Sequence, residues 1–401
     1  MKYSAATILS WLLVATAALA ADWPQWRGPN RNGISTETNW LTQWPAAGPK
    51  QLWQTNVGLG CSSITVSRGR AYTQGNQNET DTVYCFDATT GAVLWKYPYA
   101  CPLAPKYWEG GTLATPTVDG DRVYTLSKVG HLFCFQAETG KVLWQKHLET
   151  DLGGKMPTWG FAGSPFVLDN LLLLDTGATN GALVALDKLT GAIAWQKGSD
   201  PAGYSTPTPF IFQGKQCLAV FNGFGLVVHE LSDGKAVARF AWKTKYEVNA
   251  ASPIVVDDKI FISSGYGSGC ALLQLQPGNL TALWQNKAMR NHFASCVLWQ
   301  GHLYGFDESA LTCLEFATGA VKWTEPSLGK GALMLANGKL IIQGEKGDLV
   351  IAEPSPTGFK ELARAKVLTG KCWVMPVLAN GRLYVRNNAG DLICLDLTNP
   401  K

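Results

Sequence analysis

Aromatic and charged residues concentrate in a series of loops where several of them could surround one ligand. The members of this set are Trp108, Trp159, Tyr204, Glu247, Asn249, Arg290, Asn291, His292, Lys330, Lys371 and Trp373. Aromatic faces can stack on a flat or apolar ligand, and charged side chains can fix its orientation. These residues therefore form a candidate ligand site. The alternative is that loops are polar in any case and that the rings only cover the ends of strands.

Other reactive constellations are weaker, so no catalytic residue is assigned and no metal site is predicted. The five histidines lack the spacing of zinc ligands; they are His131, His147, His229, His292 and His302. No Gly-x-Ser-x-Gly sequence provides a nucleophile elbow. The glycine-rich residues 265–269 lack a following helical pattern, which favours a turn between strands over a phosphate loop.

A repeated unit of four short strands must position the loops. One unit covers residues 115–120, 122–126, 130–135 and 138–144. Alternating apolar residues and β-branched or aromatic content predict the strands, and glycines predict the turns. The third turn carries the strongest signal, Asp-x-x-Thr-Gly-x-x-x-Trp, at residues 87–95 and again at 187–195. There the glycine can adopt positive φ, and the tryptophan falls on a fixed face of the outer strand.

Counting the outer-strand positions gives eight units. The anchors are Trp53, Trp95, Trp144, Trp195, Trp242, Trp284, Trp323 and a degenerate position near Ala363. Eight such units predict an all-β fold, an eight-bladed β-propeller of four-stranded antiparallel blades. The chain has an orphan strand at 51–55 and only three strands in its last unit. We expect the N-terminal strand to complete the last blade and close the ring. The loops of the candidate site then surround one mouth of the central channel.

The repeated turn resembles the PQQ-type repeat of the family that includes quinoprotein dehydrogenases and BamB-related propellers. Residues 23–33 and 287–293 resemble segments of exported PQQ-like repeat proteins of unassigned activity. For a dehydrogenase, the resemblance implies pyrroloquinoline quinone (PQQ) on an aromatic floor such as Trp373. It also implies Ca²⁺ bound by oxygens such as those of Glu247 and Asn249, with Arg290 facing the quinone.

The sequence departs from the dehydrogenase pattern at several points. No two cysteines are adjacent, no aspartate of the mouth loops stands out as a base, and no Cys-x-x-Cys-His haem motif is present. The leading hypothesis is therefore a non-catalytic binding or scaffold propeller with a ligand or partner at the channel mouth. It commits to no cofactor. The alternative is a PQQ- and Ca²⁺-dependent alcohol or sugar dehydrogenase.

The N-terminal segment predicts export. Lys2 and the apolar residues 8–19 precede the sequence Ala18-Leu19-Ala20, as in a cleaved signal peptide covering residues 1–20. No cysteine lies directly after the cleavage site, which disfavours a lipid anchor, and no later segment has the length and apolar character of a transmembrane helix. We therefore expect a periplasmic or secreted protein that is not embedded in a membrane. The formal charge of +4 includes no basic run, which disfavours nucleic acid as a partner. An envelope protein or a small ligand is expected instead, bound by a monomer.

Residues 21–50 form a Trp-, Pro- and Gly-rich arm that precedes the propeller of residues 51–401. We expect the arm to pack on the side of the propeller, with a cap that directs Arg27 or Arg31 towards the channel mouth as the alternative. Among ten cysteines, four recur in one slot of the repeat and read as small apolar residues. Cys61 and Cys372 both open first strands of neighbouring blades and form the one disulfide candidate.

Overall fold

The predicted eight-bladed all-β propeller is confirmed. A computed structural model describes residues 21–106 and 108–399, which form eight sheets of antiparallel blades. The predicted signal peptide lies outside these residues. The described chain also contains one short helix, α1 (Leu148–Leu152), and two 3₁₀ turns, η1 (Lys245–Glu247) and η2 (Pro326–Leu328). None of the described helices has the length and apolar character needed to cross a membrane.

Each blade runs in chain order from its innermost to its outermost strand. Blade 1 consists of β3 (Thr65–Ser67), β4 (Arg70–Gln77), β5 (Thr80–Asp87) and β6 (Val93–Ala100). Blade 2 consists of β7 (Thr117–Asp119), β8 (Arg122–Leu126), β9 (His131–Gln136) and β10 (Val142–His147). Blade 3 consists of β11 (Phe166–Leu168), β12 (Leu171–Asp175), β13 (Leu183–Asp187) and β14 (Ile193–Lys197). Blade 4 consists of β15 (Thr208–Phe212), β16 (Lys215–Phe221), β17 (Gly225–Glu230) and β18 (Ala236–Ala241).

The second half of the ring repeats the arrangement. Blade 5 consists of β19 (Ile254–Val256), β20 (Lys259–Ser264), β21 (Gly269–Gln276) and β22 (Asn279–Asn286). Blade 6 consists of β23 (Val297–Trp299), β24 (His302–Asp307), β25 (Ala310–Glu315) and β26 (Val321–Glu325). Blade 7 consists of β27 (Ala332–Ala336), β28 (Lys339–Gln343), β29 (Asp348–Glu353) and β30 (Lys360–Lys366). Blade 8 consists of β31 (Val377–Ala379), β32 (Arg382–Arg386), β33 (Asp391–Asp396) and the N-terminal strand β2 (Lys50–Asn56).

The ring closes through β2, as the sequence predicts. This strand pairs antiparallel with β33, and its Trp53 lies opposite Cys394. The chain therefore ends in a blade whose outer strand comes from its beginning, and the fold leaves no blade incomplete. An additional two-residue strand, β1 (Ile34–Ser35), pairs with the innermost strand of blade 7 in parallel orientation.

At five of the eight junctions between the described blades, a tryptophan of one blade packs on a turn glycine of the next. The indole of Trp53 lies on Gly91 in the third turn of blade 1, and that of Trp95 lies on Gly140 in blade 2. A Cβ added to Gly91 would come within 2.6 Å of the Trp53 ring, and this glycine has a φ of 73°. Only glycine both lacks the Cβ that would clash with the indole and readily adopts this positive φ. The Trp53 indole also donates a hydrogen bond of 3.3 Å to the carbonyl oxygen of Ala88.

Blade 4 departs from the predicted anchors. The position opposite Val228, where other blades carry tryptophan, is Ala238. It is this residue that stands four positions after the turn glycine, Gly234. Trp242 follows β18 instead and donates from its indole nitrogen to Ser264 Oγ at 3.2 Å. The assignment of Trp242 as the fourth anchor is therefore wrong, whereas the degenerate anchor Ala363 of blade 7 lies in the expected slot opposite Ile351.

The predicted disulfide between Cys61 and Cys372 is absent. All ten cysteines of the chain fall within the described residues, and each is a free thiol. The Cys372 sulfur is buried in its own loop, 3.7 Å from the carbonyl oxygen of Gly370 and 3.9 Å from that of Thr369. Cys61 instead lines a cavity at the channel mouth. Cys61 and Cys372 hold equivalent positions in neighbouring blades, but an equivalent position does not by itself bring two sulfur atoms within bonding distance.

Residues 22–37 of the N-terminal arm enter the central channel, so the expectation that the arm packs on the side of the propeller is wrong for this part. Farther along the arm, the Trp44 indole donates to the Arg364 carbonyl oxygen on the outer strand of blade 7. All innermost strands run from the mouth with the candidate loops to the opposite mouth. Near the opposite mouth, Asp22 accepts hydrogen bonds from Ser67 Oγ at 3.1 Å and from the Arg68 amide at 3.0 Å. Trp23 then pairs with Val66 on the innermost strand of blade 1.

The arm turns inside the channel and returns to the mouth where it entered. At the turn, Trp26 donates from its indole nitrogen to Ser252 Oγ at 3.2 Å, beside the first strand of blade 5. The returning segment forms β1, and Glu37 then accepts a hydrogen bond of 2.8 Å from the Gly381 amide in blade 8. We call residues 22–37 the arm hairpin. Its tip lies beneath the mouth that carries the candidate loops.

Replacing Trp53 by alanine tests the junction at which the ring closes. The ring of Trp53 is 8% exposed and packs against Phe86, Gly91 and Tyr384. Its loss leaves a cavity between blades 8 and 1, so the free energy of unfolding should fall by about 3–5 kcal/mol in urea titrations. The control Gln54→Ala, on the exposed face of the same strand, should cost less than about 0.5 kcal/mol. Equal effects of the two changes would contradict this packing role.

Candidate functional site

An aromatic cup occupies the channel mouth that the candidate loops surround. Its cavity has a volume of about 260 Å³, and its walls come from loops of seven blades. The lining residues are Trp26, Cys61, Trp108, Leu113, Thr115, Trp159, Ala162, Ser164, Tyr204, Thr206, Val248, Ala250, Tyr266, His292, Phe293, Trp373 and Met375. Trp26 belongs to the arm hairpin and closes the cup from below. We use the name aromatic cup for this set.

Five of the eleven predicted site residues line the cup. They are Trp108, Trp159, Tyr204, His292 and Trp373. Trp26, Tyr266 and Phe293 supply further aromatic surface and are not among the predicted site residues. Phe293 directly follows the predicted residue His292, and Tyr266 lies in the glycine-rich turn 265–269. Their places in the sequence next to these segments could have indicated that both residues line the mouth. Trp26 sits in an arm without a repeat pattern, and its position could not be assigned from spacing.

The two predicted asparagines hold the loops and do not face the cup. Asn249 is fully buried, donates to the Asn222 carbonyl oxygen at 2.7 Å and accepts from Ser264 Oγ at 2.7 Å. Asn291 is 1% exposed and donates from its side chain to the Phe306 carbonyl oxygen at 3.0 Å. Both amides link a mouth loop to the second strand of a blade, which fixes the shape of the wall.

The four charged candidates lie outside the cup lining. Arg290 forms a two-pronged ion pair with Asp307, with N–O distances of 2.6 and 2.7 Å. Glu247 is exposed to solvent. Lys330 and Lys371 stand at the rim beside Trp373, with their ammonium nitrogens 5.9 and 4.6 Å from the centre of its ring system.

These positions do not fit a PQQ and Ca²⁺ site. Of Glu247, Asn249, Arg290 and Trp373, only Trp373 lines the cup. The Asn249 side-chain oxygen already accepts from Ser264, and Arg290 is neutralised by Asp307. Among the described residues, no group of three or more histidine, cysteine, aspartate or glutamate side chains could hold a metal ion. The oxygen ligands and the quinone contact implied by the resemblance are therefore not assembled.

Trp373 is the best-fixed aromatic wall of the cup. It stacks on Phe293 with ring centroids 4.6 Å apart and an interplanar angle of 25°. Its indole nitrogen donates to Glu345 Oε1 at 3.2 Å. Lys371, above the ring, is paired with Glu109 at 2.6 Å. Stacking, hydrogen bond and cation together hold one face of the ring in place before any ligand arrives.

His292 is neutral at physiological pH. Its ring meets Tyr266 edge-on at 4.6 Å, and its Nδ1 lies 3.2 Å from the Lys330 ammonium, which donates to it. Burial and then the positive charge of Lys330 lower the pKa of His292 to about 4, although Glu308 acts in the opposite direction. A histidine with such a pKa accepts hydrogen bonds but is a weak base.

The remaining titratable groups of the cup are also uncharged. The Tyr204 hydroxyl accepts from the Trp159 amide at 3.2 Å and donates to the Tyr246 carbonyl oxygen at 3.3 Å. Burial raises the pKa of Tyr204, and it raises the pKa of the Cys61 thiol to about 11. No aspartate or glutamate is among the lining residues. The arrangement therefore offers an apolar, aromatic and neutral surface, with positive charge confined to the rim.

Comparisons with known proteins connect this architecture to one family. The family model described as "Outer membrane protein assembly factor BamB" matches residues 79–325, which is more than half of the chain. No curated protein sequence matches the chain. Among solved structures, BamB from Moraxella catarrhalis is similar with a TM-score of 0.62 and 14% sequence identity. The match covers 88% of this chain and 99% of that one.

Enzymes share the fold as well. The quinohemoprotein alcohol dehydrogenase from Comamonas testosteroni is similar with a TM-score of 0.71 and 12% identity, covering 95% of this chain and 81% of that one. A europium-containing methanol dehydrogenase is similar with a TM-score of 0.66 and 12% identity, covering 94% of this chain and 89% of that one. At such identities the similarity concerns the fold alone.

Replacing His292 by glutamine should flatten the acid dependence of stability. An unfolded histidine titrates near pH 6.5, so between about pH 4 and 6.5 the unfolded state binds more protons than the folded state. The contribution of neutral His292 is therefore complete above pH 6.5 and is lost as the pH falls towards 4. Because the side chain is partly exposed, we expect the wild type to lose about 1–2 kcal/mol more unfolding free energy than the variant between pH 6.5 and pH 4. Urea titrations of wild type and variant at several pH values measure it; parallel curves would contradict it.

Proposed function

The chain belongs to the family described as outer membrane protein assembly factor BamB, and on this premise we propose that it is an exported, non-catalytic binding propeller whose ligand or partner occupies the aromatic cup. One observation carries the proposal. A concave aromatic surface is assembled from seven blades and the tip of the arm hairpin at a single channel mouth. Concave sites with aromatic walls and a few polar groups are the usual form of binding sites on rigid folds.

The size and polarity of the cup indicate what it would bind. A cavity of about 260 Å³ lies near the lower end of the range for small-molecule sites, so it accommodates a small ring system or an apolar side chain. Thr115, Ser164 and Thr206 add hydroxyl groups to the lining, and neutral His292 adds an acceptor. We therefore expect a partner group that is largely apolar or aromatic and carries few hydrogen-bonding atoms.

The chemistry of the lining argues against a reaction at this site. Proton transfer requires a group whose pKa lies near the working pH, and nucleophilic attack requires an activated nucleophile. The Cys61 thiol, with a pKa of about 11, stays protonated, and His292, with a pKa of about 4, stays neutral. Among the carboxylates near the mouth, Glu109 pairs with Lys371 and Glu345 accepts a hydrogen bond from the Trp373 indole. These states suit recognition of a ligand and not its conversion.

A PQQ- and Ca²⁺-dependent alcohol or sugar dehydrogenase is the second candidate. It is favoured by the similar folds of the alcohol and methanol dehydrogenases. It is disfavoured by the ion pair of Arg290, by the exposure of Glu247 and by the occupied oxygen of Asn249. We rank it below the binding propeller on these contacts.

We further propose that the protein acts outside the cytoplasm as a monomer and that its partner is an envelope protein or a small ligand. The description of the family names outer membrane protein assembly, which supports a protein partner. Such a partner can insert an apolar side chain into the cup. It can also add a strand to an outer blade edge, where Val93, Leu94 and Ile193 are exposed.

An environment-sensitive fluorophore tests the cup as a binding site. Anilinonaphthalene sulfonate, an aromatic anion, should bind the purified protein at one saturable site. The variant Trp373→Ala removes the fixed wall and should weaken binding by about tenfold, corresponding to about 1.4 kcal/mol. The control Trp44→Ala, on the arm outside the cup, should bind as the wild type does. Binding unchanged in Trp373→Ala, or lost equally in Trp44→Ala, would contradict the proposed site.

Reconstitution separates the two candidate functions. Purified protein should show no dye-coupled oxidation of alcohols or sugars after addition of PQQ and Ca²⁺. Oxidation that saturates with PQQ and disappears in both Trp373→Ala and Glu247→Ala would support the dehydrogenase and overturn the binding proposal.

A further inference from the structure

A small cavity lies beneath the aromatic cup, between the arm hairpin and the innermost strands of blades 2–5. Its volume is about 10 Å³, which is room for one small particle. The arm contributes four residues to its lining, Gln25, Trp26, Arg27 and Arg31. The innermost strands and the segments before them contribute the rest, including Thr206 and Ser252. Two arginines thus face a space enclosed by the propeller.

Arg27 carries a positive charge that the surrounding groups compensate incompletely. Its side chain donates to the carbonyl oxygens of Arg31 at 3.2 Å, Asn32 at 2.9 Å and Cys296 at 2.9 Å. The residue is 2% exposed, and its Nη1 has no hydrogen-bond partner among the described residues. Burial lowers the pKa of Arg27 to about 10, which leaves the guanidinium charged at neutral pH.

Arg31 adds a second guanidinium at the same cavity. Its Nη2 donates to the Val167 carbonyl oxygen at 2.7 Å, and its plane lies over the Phe166 ring at 4.6 Å. Its Nε is buried and likewise finds no acceptor in the described part of the chain. Neither arginine forms an ion pair with a described carboxylate, although twelve such pairs occur elsewhere among the described residues.

The lining of the cavity contains donors and lacks any anionic side chain. Ser252 Oγ accepts from the Trp26 indole and Thr206 Oγ1 accepts from the Ser164 amide, so each hydroxyl hydrogen is available to a further acceptor. Within residues 21–106 and 108–399, no aspartate or glutamate lines the space. A buried cation without a counterion is costly, because the low dielectric of the interior does not replace its hydration.

We propose that the central channel binds one monovalent anion of the halide class, chloride in natural surroundings, between Arg27 and Arg31. The ion accepts from Arg27 Nη1, from Arg31 Nε and from the hydroxyls of Ser252 and Thr206. It supplies the negative charge that the arm hairpin needs to remain inside the channel. The size of the cavity excludes polyatomic anions such as phosphate or sulfate. This site is separate from the aromatic cup and does not depend on the function proposed for it.

Bromide can replace chloride and can be located by its anomalous scattering. Crystals of the wild-type protein soaked in sodium bromide should show an anomalous peak within hydrogen-bonding distance of Arg27 and Arg31. Density for a water molecule, without an anomalous peak, would overturn the proposal. This experiment uses the unaltered chain, so it decides the question even where an arginine variant fails to fold.

Thermal unfolding supplies the second measurement. At equal ionic strength, the wild type should unfold about 2 °C higher in sodium chloride than in sodium gluconate, whose anion is too large for the cavity. Arg31→Gln should abolish this difference, whereas Arg364→Gln, which breaks an exposed pair with Glu361, should retain it. Persistence of the full chloride effect in Arg31→Gln, or its absence in the wild type, would contradict an anion in the channel.

Discussion

The contact between an outer-strand tryptophan and the turn glycine of the next blade is the interaction on which the ring depends. At three junctions in a row, one carbonyl oxygen of the turn, that of Ala88, Ala137 or Lys188, also accepts two hydrogen bonds from the preceding blade. At Ala88 the donors are Trp53 and Tyr384, and at Ala137 they are Trp95 and Tyr72. These blades are thereby fixed to their neighbours by one large apolar contact and two directed hydrogen bonds. Blades 4 and 7 lack the tryptophan and carry Ala238 and Ala363 in its position.

A rigid ring creates a channel that must be filled, and the arm hairpin fills it. The hairpin contacts innermost strands around most of the ring: Trp23 at blade 1, Arg31 at blade 3 and β1 at blade 7. Buried Arg27 ties the tip to the segment before blade 6 through the Cys296 carbonyl oxygen. The depth of the hairpin determines where Trp26 lies, and Trp26 determines how deep the aromatic cup is. The candidate site is thus a product of ring and arm together.

The fold could be predicted because its information is repeated. Eight copies of a four-strand pattern, with glycine and tryptophan at fixed spacing, fix blade number and closure even where single copies are degenerate, as at Ala363. The site is less repetitive. Trp108 and Trp159 were found because their loops follow from the blade pattern, whereas Trp26 lies in an arm whose path only tertiary contacts define. Asn249 and Asn291 were predicted for the right loops, but residue type cannot separate an amide that holds a loop from one that binds a ligand.

The aromatic cup exists only while residues 22–37 lie inside the channel, and hydrogen exchange of the full chain measures their position directly. The amides of Trp23, Gly28 and Gly33 donate to the carbonyl oxygens of Val66, Gln25 and Arg27. They should therefore exchange as slowly as amides of the innermost strands, because they become exposed only when the ring opens. Exchange of these amides at the rate of an unstructured peptide, while the blades stay protected, would place the arm outside the channel and remove the floor of the aromatic cup.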